Sequence, residues 1–238
     1  MNKIDLKKVI VVSFDVFNTL FDARNYHDTA CRLILQKMKV LDKIDPKEFH
    51  KNWDKLINKG WEELNDIDKT FLPQRVFFKN SLIDLFEMYN LKGNAEEAID
   101  IWYNLLEDIE LFNEVPMVLN AIKNKGYNQI IISNIDNDFL FQRLSKFKLK
   151  DHFDHIFTSE SLKSYKPNPI IFKKVLELLE LEPEEIIHIG DSQRADILGA
   201  KNVGLPTVYI NRKNKNLDNS IPTPDFIIRD LKELLNIL

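Results

Sequence analysis

Two patterns of hydrophobic and polar positions divide the chain. In residues 113–238, short apolar runs alternate with segments in which apolar residues recur every three or four positions, and one more apolar run lies near the amino end. The runs predict strands at residues 9–14, 129–132, 155–158, 185–189, 207–210 and 226–228. The periodic segments predict helices at residues 115–125, 137–147, 168–179 and 192–202, with a further helix at the carboxyl end. This alternation is typical of an α/β fold, in which helices cover a parallel sheet.

The segment between the first two predicted strands has the pattern of a helical bundle. Apolar residues recur there at helical spacing in two stretches, which are Ala30, Leu33, Ile34 and Met38, and Leu82, Leu85, Phe86 and Tyr89. Pro46, Pro73 and Asn94 supply starts and breaks for at least four helices. We therefore predict a core domain formed by residues 1–20 and 113–238, with an α-helical insert at residues 21–112.

Composition narrows the class of function. The chain has 238 residues, of which 44% are hydrophobic and 29% charged, as in an ordinary globular protein. A net charge of -4 gives no reason to expect nucleic acid or a membrane surface as partner, so a small-molecule substrate fits better. The single cysteine, Cys31, excludes an internal disulfide and fits a reducing compartment. The apolar run at residues 9–14 is too short for a signal sequence or a membrane span, and we expect a cytoplasmic monomer or homodimer.

Chemically useful residues follow four of the predicted strands. In chain order they are Asp15, Ser133 with Asn134, Lys166 with Pro167, and Gly190 with Asp191, followed by Asp196. The carboxyl ends of parallel strands meet at one edge of a sheet, where open α/β folds build their sites. Each fragment alone is weak, because Asp, Ser and Asn are also common cap and turn residues. Their occurrence in order after successive strands indicates one site.

The residue types in this set indicate nucleophilic chemistry on an anionic substrate. Asp15 is the candidate nucleophile, because an aspartate is ionised at neutral pH and needs no adjacent base. Lys166 supplies a positive charge that can hold the nucleophile and the substrate together. Ser133 and nearby backbone N–H groups can bind substrate oxygens. Asp15, Asp191 and Asp196 would repel one another without a cation, and Mg²⁺ is the ion that carboxylate, water and phosphate oxygens suit.

The four fragments resemble the motifs of the haloacid dehalogenase-like (HAD) hydrolase superfamily, over nearly the whole chain. The matching segments are residues 15–20, Ser133 with Asn134, Lys166 with Pro167, and residues 190–196. The resemblance implies a Rossmann-like core, a C1-type helical cap formed by the insert, and a covalent intermediate on Asp15 that water later hydrolyses. The implied catalytic residues are Asp15 and Lys166, and the implied substrate-binding residues are Ser133, Asn134 and Thr19. The implied metal ligands are Asp15, the backbone carbonyl of Phe17 and Asp191, with Asp196 either a ligand or a support for one.

Phe17 departs from the pattern of the superfamily's phosphatases. Those phosphatases usually have a second aspartate two positions after the nucleophile, and this second aspartate acts as general acid and base. Such an acid contributes about 10²- to 10⁴-fold, and phenylalanine cannot donate a proton. The superfamily's 2-haloacid dehalogenases commonly have a non-acid there, since a halide leaves without protonation. Phe17 therefore favours a metal-free dehalogenase, for which Arg24 and Arg32 are candidates to bind the substrate's carboxylate.

Asp191 and Gln193 favour the opposite conclusion, because the dehalogenases that resemble this chain typically have serine and asparagine at these positions. Without a metal, the carboxylate of Asp191 would repel a carboxylate substrate by about 4 kcal/mol at a separation of ~4 Å and an effective dielectric of ~20. We therefore predict a Mg²⁺-dependent phosphatase acting on a small phosphorylated metabolite, with Asp22 and His27 as candidate replacements for the missing acid. The alternatives that stay open are a metal-free 2-haloacid dehalogenase and a non-catalytic binding protein of the same fold.

Overall fold

One parallel sheet organises the larger part of the molecule. The computed structural model describes residues 5–64 and 70–238. Residues 1–4 of the predicted core domain and residues 65–69 of the predicted insert lie outside the described residues. The strands are β1 Val11–Phe14, β2 Asn128–Ser133, β3 His155–Thr158, β4 Ile186–Gly190, β5 Thr207–Ile210 and β6 Phe226–Ile228. They pair in the order β3-β2-β1-β4-β5-β6, and each neighbouring pair is parallel. The predicted α/β fold is confirmed, and the strand order is that of a Rossmann-like sheet.

β1 lies at the centre of this sheet, between β2 and β4. All four of its residues are buried, which explains its uninterrupted apolar sequence apart from Ser13. In the register of the sheet, Ser13 lies beside Ile130 of β2 and His188 of β4. The strand order reverses at β1, so the carboxyl ends of β1 and β4 form the edge at which such sheets bind ligands.

The chain divides into two units, Met1–Asp22 with Leu111–Leu238, and Ala23–Glu110. The second unit is helical and contains α1 Tyr26–Lys37, α2 Pro46–Leu64, α3 Gln74–Met88 and α4 Ala95–Glu107. Pro46 is the first residue of α2 and Pro73 directly precedes α3. At the start of α4, the side chain of Asn94 accepts hydrogen bonds from the backbone N–H groups of Glu96 and Glu97. The residues that break the helical pattern in the sequence therefore mark the helix starts.

Aromatic side chains fill the interior of the helical unit. Trp53, Phe78 and Trp102 are almost completely buried, and the rings of Phe78 and Trp102 meet edge to face with centroids 5.2 Å apart. The indole of Trp53 donates a 2.8 Å hydrogen bond to the hydroxyl of Ser81, so its one polar atom is satisfied inside the bundle. Across residues 5–64 and 70–238, no helix combines the length and the hydropathy needed to cross a membrane.

Helices of the first unit connect the strands and cover the sheet. They are α5 Val115–Asn124, α6 Asn137–Lys146, α7 Ser159–Leu162, α8 Pro169–Leu179 and α9 Gly199–Lys201. Short 3-10 segments lie at Leu6–Lys8, Lys150–His152, Pro183–Glu185 and Leu231–Asn236. Ile171, Phe172 and Val175 of α8 pack in one hydrophobic cluster with Ile130 and Ile132 of β2. This packing fixes the segment that begins at Asn168 against the sheet.

Two predicted helices differ in the structure. Residues 192–202 do not form one α-helix, because Gln193–Leu198 is a π-helix that continues into α9. The backbone N–H groups of Asp196 and Ile197 both donate to the carbonyl of Ser192, which widens the first turn. The predicted helix at the carboxyl end is the 3-10 segment Leu231–Asn236, which the side chain of Asp230 caps. Turns of this kind depend on tertiary contacts, and apolar periodicity does not distinguish them from an α-helix.

Candidate active site

The candidate residues meet at the carboxyl ends of the central strands. Asp15 directly follows β1, Ser133 is the last residue of β2, and Asp191 directly follows β4. Lys166 lies just before α8, and Asp196 lies in the π-helical turn after β4. Oxygens of Asp15, Asp191 and Asp196 lie within 4.8 Å of one another. The structure therefore brings the four sequence fragments together at one edge of the sheet.

The ammonium group of Lys166 is the centre of the cluster. Its Nζ donates to Asp15 Oδ1 at 2.7 Å, to Asp196 Oδ1 at 2.5 Å and to the backbone carbonyl of Ile132 at 2.9 Å. The side chain is only 1% exposed, so bulk water does not reach the ammonium. Its three N–H donors are therefore satisfied by the three protein acceptors. Burial opposes the charge, but Asp15 and Asp196 outweigh it and raise the pKa of Lys166. Lys166 is therefore a fixed positive charge.

Asp196 is held on every side by donors. Its Oδ1 accepts from Lys166, and its Oδ2 accepts a 2.9 Å hydrogen bond from the backbone N–H of Ser192. His188 Nε2 lies 3.3 Å from Oδ1. Burial disfavours the carboxylate, yet the Lys166 ammonium and the His188 hydrogen bond more than offset it and lower the pKa of Asp196 to about 2. Both oxygens are thus engaged by the protein itself.

A buried relay behind Asp196 fixes the orientation of His188. Ser13 Oγ lies 2.9 Å from His188 Nδ1, and both residues are fully buried in neighbouring strands. Burial lowers the pKa of His188, so the ring is neutral and carries one N–H. The arrangement is satisfied when the Ser13 hydroxyl donates to Nδ1 and the Nε2–H donates to Asp196.

Asp15 is oriented by two side chains that act on the same oxygen. Ser133 Oγ donates to Oδ1 at 3.0 Å, beside the Lys166 contact at 2.7 Å. The backbone N–H of Asp15 donates to the carbonyl of Ile189, which ties the residue to β4. Burial raises the pKa of Asp15 to about 6, while Lys166 acts in the opposite direction and Asp196 adds to the rise. Both of these side-chain donors, among the described residues, bind Oδ1. Oδ2 can therefore bind another ligand.

Asp191 is the carboxyl group of the cluster that ionises least readily. Burial, together with the carboxylates of Asp15 and Asp196, raises its pKa to about 8 against a smaller opposing effect of Lys166. A divalent cation beside Asp191 would relieve this repulsion. The hydroxyl of Thr19, four positions after Asp15, is buried and has no hydrogen-bond partner among the described residues. The donor set of Asp15 and Asp191 fits Mg²⁺, whereas the oxygens of Asp196 are already engaged.

Asn134 and Phe17 lie beside the cluster in different settings. The side chain of Asn134 donates to the backbone carbonyl of Lys166 at 2.9 Å and accepts from its backbone N–H at 2.7 Å, so it holds the lysine's backbone. Phe17 follows in the turn after β1, and its ring lies 6.0 Å from that of Phe139. This turn passes through a left-handed conformation at Asn18, with φ 57°.

Arg212 supports this turn, a role that motif spacing did not indicate. Its guanidinium donates to the backbone carbonyls of Asn18 and Thr19 at 3.1 and 2.9 Å. It also pairs with Glu114 at 2.7 Å and lies 3.5 Å over the ring of Phe112. The roles of Ser13 and His188 were also missed, although a polar residue in each of two otherwise apolar strands was a signal for them.

Comparison with known proteins assigns the family. A model of the haloacid dehalogenase-like hydrolases matches residues 12–210 of this chain. The chain therefore belongs to the haloacid dehalogenase-like hydrolase family, and it is a hydrolase.

Individual relatives have different activities. Glyceraldehyde 3-phosphate phosphatase from Pyrococcus furiosus is 29% identical, over 98% of this chain and 94% of its own. Haloacetate dehalogenase H-2 from Moraxella sp. is 22% identical, over 98% of this chain and 99% of its own. Among solved structures, the HAD-hydrolase YfnB from Bacillus subtilis bound to magnesium has a TM-score of 0.76 and 23% identity, covering 97% of this chain and 98% of that chain. That structural likeness supports the fold alone.

Gly190 leaves the space that Asp196 occupies. A Cβ at this position would lie 2.1 Å from Cγ of Asp196 and 2.2 Å from its Oδ2. We predict that Gly190→Ala lowers the free energy of unfolding by about 3 kcal/mol, at the upper end for an overpacked site, because Asp196 is held by its hydrogen bonds. Urea denaturation measures the loss.

Gly126→Ala is the matched control for the glycine substitution. Gly126 has φ 89° and no atom within 4 Å of an added Cβ, so this variant reports backbone strain without a clash. Its expected loss is about 1–2 kcal/mol. If Gly190→Ala costs no more than Gly126→Ala, the close packing of Asp196 against β4 is wrong.

Proposed function

We propose that this hydrolase is a Mg²⁺-dependent phosphatase that acts on a small phosphorylated metabolite through an aspartyl phosphate on Asp15. The observation that carries the proposal is the position of Asp191 beside Asp15 and Asp196, with oxygens within 4.8 Å. When all three are ionised, these carboxylates and the Lys166 ammonium have a formal charge of -2. One divalent cation would balance that charge, and the magnesium in the related YfnB structure is consistent with this.

In the proposed reaction, Asp15 attacks the phosphorus atom of the substrate. The P–O bond to the leaving group breaks, and the phosphoryl group becomes joined to the Asp15 carboxylate. Water then attacks the phosphorus atom and releases inorganic phosphate, which restores Asp15. Lys166 and Ser133 hold Oδ1 of Asp15 and so fix the orientation of the attacking carboxylate. Mg²⁺, held by Asp15, Asp191 and the backbone carbonyl of Phe17, would neutralise the charge of the phosphoryl group.

The remaining protein groups of the site have positioning roles in this proposal. Asp196 binds Lys166 and the backbone of the turn after β4, so we assign it to supporting the metal ligands rather than to direct binding. Asn134 fixes the backbone of Lys166, and Thr19 offers a buried hydroxyl to substrate oxygens. The helical insert is proposed to act as a C1-type cap, a role supported by its place in the sequence directly after the first motif.

A metal-free 2-haloacid dehalogenase is the second candidate. Phe17 favours it, because a halide needs no acid to leave, and the Moraxella relative is a haloacetate dehalogenase. The charges of the site argue against it. A haloacid carries its own carboxylate, which would compete with Asp15 and Asp196 for the positive charge of Lys166. The 29% identity to a glyceraldehyde 3-phosphate phosphatase over nearly the whole chain supports the first candidate.

A substrate screen with and without Mg²⁺ separates these functions. The panel contains phosphorylated metabolites, including glyceraldehyde 3-phosphate and pyrophosphate, and 2-haloacids, including 2-chloropropionate. We expect phosphate release that requires Mg²⁺ and is abolished by EDTA. Asp15→Asn should reduce it below detection, because an amide is not a nucleophile. Asp138→Asn, which changes an exposed aspartate at the start of α6, should retain turnover.

The other outcomes of the screen contradict the proposal. Chloride release that persists in EDTA would identify a dehalogenase. Saturable binding of a phosphorylated metabolite without turnover under either condition would identify a non-catalytic binding protein.

Phe17 predicts a steep dependence on the leaving group. Without a general acid at this position, the departing oxygen must leave as an anion, so aryl phosphates with more acidic phenols should react much faster. We expect the slope of log kcat/KM against phenol pKa to flatten in Phe17→Asp, which supplies the acid, and to stay steep in the control Phe17→Leu. A flat series in the wild-type protein would show that another group already protonates the leaving group.

A further inference from the structure

The helical unit contains a second cluster of ligand atoms, separate in sequence from the carboxylates of the candidate active site. We infer that His27, His50 and Asp54 form a binding site for a divalent transition-metal ion of the Zn²⁺ class. One ligand atom from each residue lies within 4.8 Å of the others. The inference does not depend on the proposed phosphatase activity.

Two adjacent helices supply the ligands. His27 lies in the first turn of α1, and His50 and Asp54 lie one turn apart on α2. Residues four positions apart share one face of a helix, so the imidazole of His50 and the carboxylate of Asp54 project together. His50 Nε2 lies 3.1 Å from Asp54 Oδ2, and His27 Nδ1 lies 3.9 Å from Asp54 Oδ1. A small adjustment would bring the three atoms to the roughly 2 Å distances of a zinc ion.

His50 has the hydrogen-bonding arrangement of a metal ligand. Its Nδ1 lies 2.6 Å from Asp28 Oδ1, while its Nε2 faces Asp54. A neutral imidazole carries one N–H, so a ring that donates to Asp28 presents a lone pair from Nε2 toward the carboxylate of Asp54. Either a proton or a metal ion must lie between those two groups. A carboxylate behind one nitrogen and a metal on the other is a common arrangement at zinc sites.

His27 supplies the second, independent observation. Its Nδ1 is buried and has no hydrogen-bond partner among the described residues, although the side chain as a whole is 31% exposed. The ring stacks on that of His50 with centroids 5.2 Å apart, and it packs against Trp53 and Trp102. Burial lowers the pKa of His27 to about 4, so the imidazole is neutral at physiological pH. The aromatic rings thus hold an unpartnered nitrogen beside Asp54.

The donor set selects the class of ion. Two imidazole nitrogens and one carboxylate oxygen suit Zn²⁺ and similar divalent transition-metal ions, whereas Mg²⁺ prefers a set of oxygen ligands. Asp28 and Asp54 together carry two negative charges, which one divalent ion balances. Three protein ligands also leave a coordination position for water. Such an ion would join α1 to α2 and stabilise the helical unit when bound.

The test uses the full-length protein, stripped of metal with a chelator and then dialysed. Zn²⁺ is titrated calorimetrically in excess Mg²⁺, which occupies oxygen-only sites. We expect one Zn²⁺ per chain and a rise in thermal midpoint. His27→Ala and His50→Ala should lose this binding, and Asp28→Asn should weaken it by about 10- to 100-fold.

Two control variants locate the ion. His155→Ala removes a histidine of the first unit, which contains the sheet, and Asp191→Asn removes a carboxylate of the candidate active site. Both variants should bind Zn²⁺ as the wild-type protein does. Circular dichroism of each metal-free variant shows whether it is folded. A second measurement needs no substitution: Cu²⁺ should quench tryptophan fluorescence stoichiometrically, since Trp53 and Trp102 lie 5.4 and 5.5 Å from the His27 ring.

The inference is overturned if the wild-type protein shows no saturable Zn²⁺ binding in Mg²⁺. It is also overturned if folded His27→Ala and His50→Ala bind Zn²⁺ normally, or if Asp191→Asn alone abolishes binding. The last result would place the ion among the carboxylates of the sheet unit.

Discussion

The buried ammonium of Lys166 is the interaction on which the site depends. It joins Asp15 after β1, the carbonyl of Ile132 in β2 and Asp196 after β4, so one cation ties together the ends of three neighbouring strands. Removing one member of a buried ion pair leaves an uncompensated charge, which typically costs about 3–5 kcal/mol. The same contacts satisfy Asp15 and Asp196 but leave Asp191 with its pKa raised by burial and by its neighbours. Stability and affinity for a cation therefore originate in the same charges.

Much of the sheet unit could be predicted from the sequence. The strands at 155–158, 207–210 and 226–228 have the predicted bounds, because short apolar runs between turn residues have few other structures open to them. The prediction of an α-helix directly after β4 was wrong. The π-helical turn there depends on two backbone N–H groups that both donate to the carbonyl of Ser192. Interactions at that level are set by tertiary structure rather than by periodicity.

The motif residues of the candidate site could be predicted from the sequence, whereas most of the residues that hold them in place could not. The structure brings Asp15, Lys166 and Asp191 together at the edge where strand ends meet. Asn134 contacts the backbone of Lys166, and its role in substrate binding, which the resemblance implies, stays a prediction. The contacts of Ser13 with His188 and of Arg212 with the turn after β1 join positions 175 and 194 residues apart, so no local spacing reveals them. The contact of His27 with His50 likewise joins two helices.

The most direct test of the central claim is a ¹³C NMR titration of the aspartate carboxyl groups in metal-free protein. Asp191 should titrate with a pKa of about 8, through a signal that is absent in Asp191→Asn. Saturating Mg²⁺ should lower that pKa strongly, because the ion replaces repulsion by attraction. An Asp191 that titrates near the ordinary value of 3.8, and that Mg²⁺ leaves unchanged, would contradict a cation site built on three converging carboxylates.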